Sequence, residues 1–144
     1  MQLVRKFLSV FAALFTAAVL GLGFMPAAHA QSIDQILANP KVDDILAARV
    51  DHFSEAQFGD GGAAYGLMRV IRVSSSEIVV VTEDAAWPQK RGSLDDLNGD
   101  YSDITWDFDE EITIRRSELA SLKNQDMIYG ARRLTDAQIR EYLN

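Results

Sequence analysis

Apolar residues are spaced along this chain in three ways, and each spacing predicts a different kind of element. From Leu67 the pattern is that of strands: LMRVIRV and EIVVVTE are dominated by β-branched residues, and Ser74-Ser75-Ser76 between them suits a short turn. An antiparallel hairpin is expected there. Arg69 and Arg72 do not share a face under strict alternation, so either the strand is bulged or Arg72 lies at its end with its stem reaching to water. A second alternating run, Ile104, Trp106 and Phe108, turns at Asp109-Glu110 and returns through Ile112 and Ile114, which predicts a second hairpin. Asp126 to Gly130 (DMIYG) reads as a short last strand.

Helical spacing lies on either side of these strands. Ser32 begins an S-x-x-Q capping box completed by Gln35, ahead of Ile33, Ile36 and Leu37. Asn39-Pro40 reads as an N-cap followed by proline in the first turn. A second helix is therefore expected, with Val42, Ile45, Leu46, Val50 and Phe53 near one face and Asp43, Asp44 and Asp51 turned away. Ser117 to Lys123 predicts another turn or two of helix. Thr135 with Gln138 caps a final helix that Ala137, Ile139, Tyr142 and Leu143 anchor. Together these elements predict an α+β domain: a small antiparallel sheet of four or five strands (two hairpins plus a short last strand), with N-terminal helices and a C-terminal helix. The expected core is Ile36, Leu46, Val50, Phe53, Leu67, Val70, Ile78, Val80, Ile104, Trp106, Phe108, Ile112, Ile114 and Ile139.

The run IRRSEL, followed by a short strand and LTDAQI, resembles the end of PRC-barrel domains, small β-barrels of bacterial photosynthetic and envelope proteins. The likeness spans about the last 33 residues, and the family's glycine-containing strand pairs have no counterpart from LMRVIRV to TED. A small β-barrel with flanking helices is the alternative architecture.

The third spacing is an apolar run with small residues mixed in, Phe7 to Phe24, preceded by Arg5-Lys6 and followed by Pro26 and the small-residue site Ala28-His29-Ala30. This is the pattern of a secretory signal peptide over residues 1–30, with a mature single domain over 31–144. A retained anchor is the competing reading, because the run approaches the length of a membrane span. Gly21, Gly23 and the cleavage site favour removal, so the expected product is exported to a periplasm or secreted, with no membrane insertion after cleavage.

Removal of the leader changes the charge. It takes away Arg5 and Lys6 and no acid, moving the formal charge from −7 to −9. Such a surface repels nucleic acid and anionic lipid and favours cations or a basic or mixed-charge protein partner. The chain has no cysteine, so its fold does not use the disulfides that an oxidising compartment permits. His52 is the one histidine left after cleavage, which rules out paired-histidine zinc spacing. The glycine-rich FGDGGAAYG departs from the dinucleotide fingerprint in spacing and follows no strand, so it reads as a linker.

The remaining candidate chemistry lies between Ser93 and Glu111, where eight carboxylates occur with no Lys or Arg. The opening DLNGD resembles that of dockerin repeats, which implies calcium. Asp96, Asn98, Asp100, Ser102 and Asp107 then supply the alternating oxygen ligands that a hard cation needs. Tyr101 stands where such a loop needs glycine, and Asp107 takes the place of a longer bidentate Glu. A second reading makes Asp95, Asp103 and Asp109 a solvated acidic rim for a basic partner, with Trp87 beside Pro88 as a partly exposed recognition aromatic; Trp87 covering the edge of its own core is the plainer alternative. A third pairs carboxylates among Asp103, Asp107, Glu110 and Glu111 for glycoside hydrolysis. The expectation is an exported, non-catalytic envelope accessory or interaction module with an acidic face. Cation binding through Asp96–Asp107, with Ca2+ as the one cofactor in question, and a small carboxylate-dependent hydrolase are the alternatives.

Overall fold

A computed structural model describes residues 30–144. The expected leader lies outside the described residues except for Ala30. Ser32 caps α1 (Ile33–Ala38) as anticipated: its hydroxyl accepts from Gln35 N, and the Gln35 side chain accepts from Ser32 N. The chain continues through β1 (Ile45–Arg49), a single turn α2 (Val50–Phe53), β2 (Tyr65–Val73), β3 (Glu77–Thr82), α3 (Lys90–Leu97) and β4 (Ile112–Arg115). A 3-10 turn (Arg116–Glu118), α4 (Leu119–Asn124), β5 (Ile128–Arg132) and α5 (Asp136–Tyr142) complete it, with Thr135 and Gln138 forming the second capping box.

The five strands form one open antiparallel sheet in the order β4-β3-β2-β1-β5. The α+β class is as expected, and the sheet does not close into the alternative barrel. β2 and β3 make the anticipated hairpin, with a bulge between Val70 and Arg72 that resolves the arginine conflict in favour of the bulge. Among the described residues, no helix is long and apolar enough to cross a membrane.

Two expectations are corrected. The second N-terminal helix is not there: Ile45–Arg49 is a strand hydrogen-bonded on both sides, between β2 and β5. Leu46 and Ala48 pack into one layer of the core, while Ile45 and Ala47 pack into the other. A strand buried on both faces is continuously apolar and lacks the alternation that marks a half-buried one. Asp44, expected on a solvent face, is 1% exposed. Its carboxylate takes two hydrogen bonds from the Arg133 guanidinium, at 2.8 and 2.7 Å, and a third from Lys41 N.

The second hairpin is also built differently. β4 pairs with β3, but residues 104–108 are not a strand, and their backbone pairs through one isolated bridge, Glu83 to Trp106, just past the end of β3. The alternation breaks at Asp107. Its N–H donates to Thr82 O, and its carboxylate accepts from Asp109 N in a tight side-chain turn. Phe108 is thereby carried out of the expected core: it is 56% exposed and lies over the Arg69 guanidinium, 5.8 Å from ring centre to Cζ. Of the other expected core residues, Phe53, Ile104, Trp106, Ile112 and Ile139 are half-buried and the rest are buried.

Candidate functional site

Trp87 is positioned by backbone before side chain. Trp87 N donates to Tyr65 O at 2.7 Å and Tyr65 N to Trp87 O at 2.9 Å, which fastens this residue to the start of β2. Pro88 then leads into α3. The ring lies on the first turns of that helix at Gly92, where a Cβ would come within 2.3 Å of Cδ2 and 2.4 Å of Cγ. Only glycine leaves room for it. One helical turn on, Asp96 accepts from the indole Nε1 at 2.6 Å. Gly92 and Asp96 are four residues apart and so share the helix face on which the ring is clamped.

The clamped ring remains 45% exposed. It forms one wall of a groove of about 280 Å³ whose other lining residues include Phe58, Asp60, Ala64, Ala86 and Pro88. Asp60 is the charged residue of that lining. The part of FGDGGAAYG expected to be a mere linker therefore contributes a wall.

The eight carboxylates do not form one cluster: Asp95, Asp96, Asp100 and Asp103 border one hollow, and Asp107, Asp109, Glu110 and Glu111 are not part of it. Asp95 and Asp96 lie on α3, Asp95 4.0 Å from the Arg91 guanidinium and Asp96 at the N–H edge of the indole. Asp100 accepts from Ser102 N and Oγ, which holds its pKa below the ordinary range. Glu110 accepts from the Ser54 hydroxyl and from Glu55 N, and Glu111 pairs with Arg72. Asp103 and Asp109 are exposed.

Of the five expected cation ligands, Asp96, Asp100 and Ser102 border one shallow hollow of about 100 Å³ together with Asp95 and Asp103. Asn98 instead donates to Leu94 O, and Asp107 is fastened beside Thr82. Among the described residues, no group of three or more His, Asp or Glu side chains is placed to hold a metal ion. Of the four carboxylates considered for hydrolysis, Asp107, Glu110 and Glu111 are each turned to a different partner.

Glu83 escaped the sequence reading. It follows β3 and is 3% exposed, and its Oε1 accepts from Leu67 N at 3.1 Å. Burial pushes its pKa up to about 7; the Leu67 N–H pulls it down and the Asp96 charge adds to the rise. Nearby, the Ser93 and Tyr129 hydroxyls lie 2.5 Å apart, and Ser93 donates to Lys90 O. No family model, curated protein or solved structure matches the chain, so its chemistry is read from this geometry.

Proposed function

We propose that this chain is an exported, non-catalytic interaction module whose acidic face captures a basic protein partner. One observation carries the reading: Phe108 stands 56% exposed between Asp107 and Asp109. Around the surface, Asp60, Asp84, Asp103 and Asp109 have no ion pair among the described residues. Exposed aromatics beside unneutralised carboxylates suit a partner that brings apolar area and positive charge together.

Binding of poly-lysine and of an Arg-Gly repeat peptide tests the proposal. Both should bind at low salt and weaken as ionic strength passes about 0.15 M, where the screening length is about 8 Å. Phe108→Ser leaves the charge unchanged and should still weaken binding, which separates a specific face from general attraction. No binding at low salt, or indifference to Phe108→Ser together with Asp109→Asn, would sink the reading. The export half is checked by intact mass: the mature protein should begin at Gln31. A melting temperature raised by calcium alone at matched ionic strength, and not in Asp96→Asn, would put a cation site ahead instead.

A further inference from the structure

We infer that the Trp87 groove is a receptor for a basic side chain, arginine or lysine, of that partner. The inference rests on the acidic-face reading and adds a place and a chemistry to it. Three features converge. The ring is pressed against Gly92 on one side, is still 45% exposed, and lines the groove that Phe58, Ala64, Ala86 and Pro88 complete. The indole N–H is donated at 2.6 Å to the Asp96 carboxylate, and a negative partner on the ring edge makes the π face more negative and a better seat for a cation. Asp60, on the same lining, has no ion pair among the described residues.

The nearby cations do not fill this place. Lys90 is engaged by Asp126 and sits over the Tyr129 ring, while Arg91 is directed to Asp95. Neither lines the groove. A basic side chain entering it would lay its aliphatic stem against the apolar walls and bring its charge to the indole and to Asp60, so the groove offers apolar, aromatic and anionic lining to an occupant that has an apolar stem and a cationic head. An acidic or purely aliphatic occupant would leave Asp60 opposed or unused.

The test uses an Arg-Gly repeat peptide and its citrulline counterpart, which has nearly the same shape without the charge. In a Trp106→Phe background Trp87 is the sole indole, so its fluorescence reports the groove directly. The arginine peptide should perturb Trp87 emission and the citrulline peptide should not. Trp87→Leu, which keeps apolar bulk and removes the π face, should weaken binding about tenfold. Asp60→Asn, in an exposed loop where folding is not at risk, should weaken it about threefold. Arginine-peptide binding that survives both substitutions but falls with Phe108→Ser would overturn the groove and leave the acidic-face reading standing. Equal binding of the citrulline peptide would also overturn it. No binding of either peptide by the wild type would remove both proposals at once.

Discussion

The two faces of the sheet are covered in different ways. On one, Ile36 and Leu37 from α1 and Leu119 from α4 pack on Leu46, Ala48, Met68, Val70, Ile78, Val80, Ile114 and Ile128, an almost wholly aliphatic layer. On the other, Ile45, Ala47 and Leu67 are covered by Leu97, Tyr101 and Leu134, with Trp106, Tyr129 and Tyr142 at the margin. The Arg132 guanidinium stands over two of those rings, at 5.6 Å from Tyr101 and 5.8 Å from Tyr142. The difference is one of what holds the cover down. The aliphatic layer is held mainly by apolar area, with the Lys123–Asp34 ion pair joining α4 to α1 at its rim, whereas the second is laid down by short or irregular chain whose carbonyls must be satisfied by side chains. Trp87, Asp96, Tyr101 and Phe108 all sit on the segments covering this second face or running along it.

The largest effects should come from the aliphatic layer. Leu46→Ala, at a position 1% exposed under α1, should cost about 2–5 kcal/mol in urea unfolding. Leu97→Ala, in the last turn of α3 at a position 5% exposed, should fall in the lower half of the same range. Equal losses would show that the two layers contribute alike.

Next is the response to pH. Glu83 carries a raised pKa, about 7 against an ordinary 4.5, so between those values the folded protein holds a proton that the unfolded chain has released. Stability should fall as pH rises through that window, by about 3 kcal/mol for a shift of this size. Asp51 acts in the opposite sense. The Arg49 hydrogen bonds hold it at about 2, so its contribution is complete above the ordinary 3.8 and is lost as pH falls towards about 2. Melting temperatures across pH should peak between the two windows, and Glu83→Gln should flatten the upper slope. A Glu83→Gln profile parallel to the wild type would refute the assignment.

β2, β3 and both capping boxes were legible because their signals are local: β-branched residues, a serine turn, a hydroxyl three residues before a glutamine. β1 was not, since ILAAR combines alanines of high helix propensity with burial on both faces, and pairing with two neighbours overrides that preference. α3 was hidden by its charges. Lys90 and Arg91 stand at its start and Asp95 and Asp96 at its end, the reverse of what the helix dipole favours, and Gln89 provides no side-chain cap. Without α3, Trp87, Gly92 and Asp96 are three unrelated residues. With it, Gly92 and Asp96 become neighbours on one face and the clamp is visible.

Gly92→Ala tests that clamp at smaller cost. Alanine improves helix propensity by about 1 kcal/mol but drives a Cβ into the indole, so a net loss of about 1–2 kcal/mol is expected. The more telling readout is fluorescence: in the Trp106→Phe background the Trp87 emission should shift as the ring leaves Asp96. A stabilised protein with unchanged emission would mean the ring is not held on α3.

The smallest effect concerns the end of α3, where two donors meet at one carbonyl. Leu97 O accepts from Tyr101 Oη at 2.7 Å and from Arg132 Nη1 at 2.9 Å, and the same guanidinium nitrogen reaches Gly99 O at 2.7 Å. Carbonyls in the last turn of a helix have no partner within it, so these bonds terminate α3 and orient the loop that follows. Tyr101 adopts this place with φ of 61° and is 4% exposed. Tyr101→Phe keeps the ring's burial and removes one donor, but Leu97 O is still held by Arg132. Its cost should be about 1 kcal/mol, that of a lost hydrogen bond without an orphaned acceptor. Arg132→Met likewise leaves Tyr101 in place. The double variant strips Leu97 O of both donors, so its loss should exceed the two single losses together by about 0.5–2 kcal/mol. Strict additivity in that cycle would mean that each donor acts on its own, and the polar layer would then owe its order to burial, like the aliphatic one.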